Sequence, residues 1–329
     1  MTKTKNDPNP PTITSLFTGA GGMDLGFEKA GFETIFANEF DPTIAPSYIN
    51  HFPNVDHRLG SICEITDFPI SEGVAGGPPC QAFSAAGAMR GEADARGLLV
   101  WEYLRVIKAV SPEFFVFENV PGLLHGKRKK TFEELLSQLR SAGYVVAWRV
   151  LDASDYNVPQ TRKRVIAIGY RKDLGVKPTF PKPHTPKPTL KDTIHDLSRL
   201  VVNGTSKVPN HETANYHMSP RFLSRQRKRG WQEQSFTIPA TDNQVPLHPG
   251  GEKMVRQEGI TDKDKEDNFI LAPGKNRRLT VRECARIQTF PDDYEFLYKN
   301  LKDGYKMVGN AVPVNLAFHI ATQIRKDLG

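Results

Sequence analysis

Up to about residue 172, short apolar runs alternate with longer amphipathic ones. Ile13–Phe17 reads as a buried strand running into the loop Thr18-Gly19-Ala20-Gly21-Gly22, and Met23–Ala30 as the helix that follows. Glu33–Asn38 and Val74–Gly76 read as further strands, and Leu98–Val110 as a helix. Phe114–Phe117 is a strand-like apolar run, Thr131–Ala142 a helix, and Val145–Leu151 and Val165–Tyr170 two more strands. Such alternation predicts an α/β fold, a doubly wound, mostly parallel sheet with helices on both faces.

The pattern then breaks. Five prolines stand in Pro178–Pro188, which neither a helix nor a central strand accommodates. Beyond them come short polar stretches, turn residues and a mixed-charge run at 262–267, the makings of a smaller, irregular, loop-rich domain. Regular structure returns at Thr280–Ile287, where Thr280 and Glu283 have capping-box spacing. The last segment, Val314–Asp327, carries Leu316, Ala317, Ile320, Ala321 and Ile324 on one helical face. The expected division is a ligand-binding domain over 1–185, completed by 305–329, and a small domain over 186–304.

Charge sharpens this division. Of the 44 Lys/Arg and 37 Asp/Glu, residues 181–280 hold 17 and 11, so nearly all of the +7 excess lies in the irregular stretch. A localised basic excess is the footprint of a polyanion. Three cysteines cannot make a disulfide framework and fit a reducing cytoplasm. Cys63 and Cys284 read as ordinary buried thiols. No Cys or His pair has metal-binding spacing, no apolar run is long enough to span a membrane, and the start MTKTKNDPNPPT lacks the apolar core of a secretory signal.

Two loops carry candidate chemistry. Gly19, Gly21 and Gly22 sit where a strand turns into a helix, whose first N–H groups are free to meet a ligand. Asp24 occupies the third glycine position of a dinucleotide fingerprint, and no Gly-Lys-Ser/Thr follows, so neither a pyrophosphate cradle nor a P-loop is encoded. Glu39 ends the next strand, placed to bond ribose hydroxyls. These features suit a nucleoside-containing cofactor. In Gly76-Gly77-Pro78-Pro79-Cys80-Gln81, two prolines fix the backbone before Cys80 and present its thiol at the sheet's carboxyl edge. Glu118 stands at the mouth of another strand, placed to act in a site.

Taken in order, these segments resemble the cytosine-C5 DNA methyltransferases over nearly the whole chain. Phe17-x-Gly19-x-Gly21-Gly22 resembles the cofactor loop, Pro78-Pro79-Cys80-Gln81 the nucleophile motif and Glu118-Asn119-Val120 the acid motif. Gln160-x-Arg162-x-Arg164 resembles the arginine motif, Arg278-Leu279-Thr280-x-Arg282-Glu283 the segment after the recognition region, and Gly309-Asn310-Ala311-Val312 the closing motif. The resemblance implies a Rossmann-like methyltransferase domain, S-adenosyl-L-methionine as cofactor and double-stranded DNA as substrate. It implies that Cys80 adds to cytosine C6, that Glu118 assists at N3, that Arg164 binds O2, and that Arg162 orders the nucleophile loop. For the cofactor it implies Phe17 and Phe40 against the adenine, Leu99 beside the ring, Glu39 on the ribose, and contacts from Gly19, Gly21, Gly22, Leu25, Ile62 and Pro79. Asn310 and Val312 would close the pocket. One departure stands out: Gly60-Ser61-Ile62 puts Ser61 where the family pattern has Asp to accept the adenine amino group. A neutral hydroxyl makes the weaker acceptor.

A cytosine within a duplex must be flipped out to receive this chemistry. In the basic insert, Arg225, Arg227 and Arg229 alternate, as expected of guanidinium forks reading guanines. Asn243 and Gln244 are placed to pair with an adenine. Trp231 and Phe236 read as local core. The expected protein is a monomer, cytoplasmic and nucleoid-associated, with a restriction endonuclease as a functional partner. A tRNA-modifying enzyme on the same architecture, or a non-catalytic DNA-binding relative, is the alternative.

Overall fold

The computed structural model describes residues 9–79, 99–204, 207–214, 218, 220–256, 269–270 and 276–329. The elements run β1 (Thr12–Leu16), α1 (Gly22–Lys29), β2 (Glu33–Glu39), α2 (Ala45–His51), β3 (Asp56–Leu59), β4 (Gly73–Gly76), α3 (Leu99–Val110), β5 (Phe114–Asn119), α4 (Gly126–Ser141), β6 (Tyr144–Asp152) and β7 (Lys163–Arg171). Then follow α5 (Leu190–Ile194), α6 (Pro220–Leu223), β8 (Val255–Arg256), β9 (Phe269–Ile270), α7 (Val281–Ile287), α8 (Leu301–Asn310) and α9 (Val314–Leu328).

The chain divides into two compact units, the first made of 1–152, 163–183 and 314–329, the second of 153–162 and 184–313. This departs from the expected boundaries in two places. Residues 153–162, between β6 and β7, belong to the second unit. So does α8, which packs on α7 and therefore does not complete the first.

In the first unit seven strands lie in the order β3-β2-β1-β4-β5-β7-β6. Only β7 runs against the others, since it pairs antiparallel with both β5 and β6 while the remaining pairs are parallel. The inner strands are buried on both faces, which is why β4 and β5 read as unbroken apolar runs rather than alternating ones. On one face α3 and α4 close a core around Val106, Phe115, Phe117, Phe132 and Leu135. Elsewhere in the unit α9 lies along α1, as its apolar stripe predicts. The strand order reverses between β1 and β4, so the loops after these two strands leave the same sheet edge at the switch point, where open α/β sheets bind ligands.

In the second unit α7 opens with the expected capping box: Thr280 accepts from the Glu283 amide, and Glu283 from the Thr280 amide at 2.8 Å. Elements of both units escape the sequence pattern, the short α5, α6, β8 and β9 of the second among them. β3 reads Asp-His-Arg-Leu with no apolar alternation, α2 contains a proline, and α8 has a glycine in its interior. α4 starts at Gly126, five residues before the predicted boundary, because its first turn is the charged run Lys127-Arg128-Lys129-Lys130.

Candidate active site

The loop after β1 is built to leave room for a ligand. Phe17 and Gly19 both adopt positive φ (55° each), and Gly21 (φ 70°) lies where a Cβ would come within 2.6 Å of the Phe52 ring. A Cβ on Gly19, by contrast, would meet nothing within 4 Å. The loop is pinned from β2: the Gly19 amide donates to Glu39 Oε2 and the Asp41 amide to Glu39 Oε1, each at 2.8 Å. Burial raises the Glu39 pKa, and these amide donors oppose the rise. The next residue, Phe40, leaves 72% of its surface exposed, an aromatic face at the mouth of the loop. Asn38 donates its side-chain amide to the carbonyls of Arg58 and Gly60 (2.9 and 3.0 Å), which fixes the turn leading into Ser61. There the Ser61 hydroxyl already accepts from the Cys63 amide at 3.3 Å, and Arg105 holds the carbonyls of Ile62 and Ile65, both at 2.9 Å. Leu99 and Phe17 border the core, while Gly22 and Leu25 lie buried in α1. Open space over Gly19, an exposed ring and a buried carboxylate able to accept from hydroxyls suit an adenosine-type group.

Cys80 lies outside the described residues; the strand and prolines that precede it do not. A Cβ on Gly77 would come within 2.8 Å of Glu118 Oε2, so the backbone before Cys80 passes directly over this carboxylate. Glu118 ends β5 and pairs with Arg164 of β7, Nε to Oε1 2.8 Å, with both side chains nearly buried. Arg164 also donates to the Lys163 carbonyl at 2.7 Å. Asn119, buried beside Glu118, donates to the Pro78 carbonyl at 2.8 Å while its own oxygen accepts from the Val120 amide. This bond straps the backbone before Cys80 to the end of β5, from a position that the sequence reading left without a role. Its signal was its place inside the Glu118-Asn119-Val120 motif.

The loop that Arg162 is expected to order lies outside the described residues; Arg162 itself is 2% exposed in the second unit and donates to the carbonyls of Ile238, Gly309 and Ala311 at 2.9–3.1 Å. It therefore braces the loop of Asn310 and Val312. In that loop Asn310 is exposed and Val312 half-buried.

The three arginines of the basic insert do not share one free face. Arg225 is exposed. Arg227 turns back on its own segment, donating from Nε to the Phe222 carbonyl (3.0 Å) and lying over the Phe222 ring. Arg229 pairs with Glu233 (2.9 Å) and lies 4.1 Å from the Phe236 ring centroid. Short-range partners for a desolvated guanidinium override strand alternation here. Asn243, which accepts from the Thr241 hydroxyl, is exposed, and Gln244 is half-buried. Trp231, half-buried, packs edge-on against His195 and His248. Cys284 is buried, whereas Cys63 is exposed, contrary to the sequence reading: it lies in a surface 3-10 turn rather than on a core face. Among the described residues no group of His, Cys, Asp and Glu could hold a metal ion, and no helix is long and apolar enough to cross a membrane.

Comparison with known proteins bears on the whole chain. The family model of the C-5 cytosine-specific DNA methylases matches residues 12–326. The type II methyltransferase M.NgoPII of Neisseria gonorrhoeae is 46% identical, with 97% of each chain covered. M.MthTI of Methanothermobacter thermautotrophicus is 45% identical over 96% of this chain and 97% of its own. Among solved structures, the Entamoeba histolytica methyltransferase EhMeth superposes with TM-score 0.66 at 15% identity, covering 97% and 98% of the two chains. A triple mutant of Spodoptera frugiperda DNMT2 gives 0.61 at 18%, covering 97% and 99%. At these identities the structural matches speak for the fold.

Proposed function

Because the chain belongs to the C-5 cytosine-specific DNA methylase family, we propose that it methylates C5 of a specific cytosine flipped out of duplex DNA, with Cys80 as nucleophile and Glu118 as the acid at N3. The observation that carries this reading is the arrangement at the end of β5. Glu118 is held by Arg164 beneath the backbone of Gly77, and Asn119 ties down Pro78, two residues before Cys80.

When bound, S-adenosylmethionine supplies an electrophilic methyl group on a sulfonium. Phe17, Glu39 and Phe40 would hold its adenosine, and Ser61 would contribute a neutral acceptor beside it. C5 of cytosine is a poor nucleophile until Cys80 Sγ bonds to C6, which turns the C5–C6 double bond's electrons toward C5. Glu118 holds a proton at N3 and Arg164 lies beside O2, both offsetting charge that grows on the ring. After C5 has taken the methyl group, loss of the C5 proton returns its electron pair to the ring, and the Cys80–C6 bond breaks. Arg225 and the loop of Asn243 and Gln244 approach the base edges. The relatives named type II methyltransferases imply a restriction endonuclease as functional partner.

Incubation with labelled cofactor and 5-fluorocytosine-substituted DNA or tRNA tests this, because fluorine at C5 blocks the final elimination. A covalent adduct on DNA, lost in Cys80→Ser, is the expected result. An adduct on tRNA alone would move the substrate to RNA, and no adduct on either would defeat the mechanism. Bisulfite sequencing of DNA from expressing cells then maps the target.

A further inference from the structure

Two buried glutamines that the mechanism does not use form a continuous polar spine through the second unit. Gln160 and Gln288 are both 0% exposed. Gln288 Nε2 donates to the carbonyls of Val308 (2.8 Å) and Ala311 (3.0 Å), so its oxygen must face the other way. That oxygen accepts from Gln160 Nε2 at 2.7 Å. The Gln160 oxygen in turn accepts from the Ile238 amide at 2.8 Å. With two carbonyls at one end and an N–H at the other, both amide orientations are determined. Two residues along, Arg162 grips the Ile238 carbonyl and the carbonyls of Gly309 and Ala311. Ile238 is thus tied to the Gly309–Val312 loop twice, from its carbonyl directly through Arg162 and from its amide through Gln160 and then Gln288.

The backbones themselves meet here. A Cβ on Gly309 would lie 2.2 Å from the Pro239 carbonyl oxygen and 2.5 Å from the Ala240 nitrogen, so only glycine permits the approach. The turn Asp242–Gln244, which follows directly, packs on α8. One end of the spine is therefore the polar loop given to DNA, and the other is the loop of Asn310 and Val312 given to the cofactor.

We propose that Gln160 and Gln288 are positioning residues that couple engagement of DNA at the 238–245 loop to the placement of Asn310 and Val312. Neither touches substrate. Each transmits displacement because a buried amide chain with determined polarity cannot shift at one end without breaking a bond at the other. The inference rests on the DNA-methylating reading above.

The test measures the affinity of a duplex bearing the bisulfite-mapped site, with and without saturating S-adenosylhomocysteine, for the wild-type enzyme and for Gln288→Met. Wild-type enzyme should bind the duplex at least about fivefold more tightly with the product bound, the lower range of site-to-site coupling. In Gln288→Met that ratio should fall below about twofold. A merely structural role would weaken both affinities and leave their ratio intact. Should Gln288→Met not fold, Gln160→Met decides: it severs the link to Gln288 and the bond to the Ile238 amide without burying a charge. A wild-type ratio near one, or a ratio unchanged in a folded variant, overturns the proposal. A wild-type enzyme that does not methylate DNA at all would instead defeat the function on which it rests.

Discussion

The two units solve the problem of buried backbone in opposite ways. In the first, strand pairing satisfies the peptide groups, so the core needs only apolar shape, and its largest fully buried side chains are Tyr48, Tyr103, Tyr144, Tyr170, Phe27 and Phe36. In the second, among the described residues, the paired strands are two residues long, and the largest fully buried side chains include Arg162, Arg278 and Arg282. Buried carbonyls in irregular loops still need donors, and a guanidinium supplies five in a rigid fork. Arg282 shows the pattern: it reaches the carbonyls of Pro209, Pro291 and Tyr294 at 2.7–3.0 Å, and Asn210 Oδ1 at 3.3 Å. The cost is desolvation, which lowers its pKa. A unit made of loops thus carries its polar support inside it, where a sheet carries hydrocarbon.

The sharpest way to break this comparison is Arg282→Met, which matches the side chain's length and leaves its acceptors unpaired. It should cost about 4 kcal/mol in urea unfolding, by analogy with removing one partner of a buried charged network. A loss below about 1 kcal/mol would show that the guanidinium is dispensable support.

The acid limbs of the two units should differ in sign, by about 3 kcal/mol each. Burial raises the Asp24 pKa in α1 to about 6 and lowers that of His248 to about 4. For Asp24 the folded state binds the proton more tightly than the unfolded one, so its contribution to stability falls as pH rises from about 4 to 6. Asp24→Asn should therefore stabilise the protein at pH 7 and lose that advantage below pH 4. For His248 the unfolded state binds the proton more tightly, so stability falls as pH drops from about 6.5 to 4. His248→Gln should flatten that decline. Unfolding curves of the two variants between pH 4 and 8 check both signs.

A smaller loss, about 1–1.5 kcal/mol, is expected for Phe115→Leu in the sheet core, where the replacement is still apolar and neighbours can relax. Smallest in stability is Arg225→Ala, within about 0.5 kcal/mol for an exposed side chain. Its effect should appear in discrimination instead, about 1–3 kcal/mol between the mapped site and a single-base variant. Equal weakening on both duplexes would assign Arg225 to phosphate.

Legibility in the sequence followed the same division. β1, β2, β4, β5, β6, β7 and α9 were readable because their apolar spacing reports a local repeat facing a common core. β3 and α2 were not, since they border the sheet with polar sequences. In the site, Glu118 was legible as a carboxylate ending an apolar strand and Arg164 as the last residue of the arginine motif, while their ion pair was not, because it joins neighbouring antiparallel strands. The partners of the alternating arginines were not legible, for alternation reports a shared face only in an extended strand, and Arg227 and Arg229 found partners within five residues.

By itself, then, the sequence determined the chemistry: the residue types at 80, 118 and 164, the glycine loop, the family, and the concentration of positive charge in one stretch. These are properties of composition and order, which survive without knowing distances. Only the tertiary structure decided that Arg162 braces the Asn310 loop, that Asn119 straps Pro78, and that Gln160 and Gln288 meet across 128 residues of chain. Hydrogen bonds between buried amides leave no periodic trace in a sequence, because each depends on where two distant segments happen to run out of backbone partners.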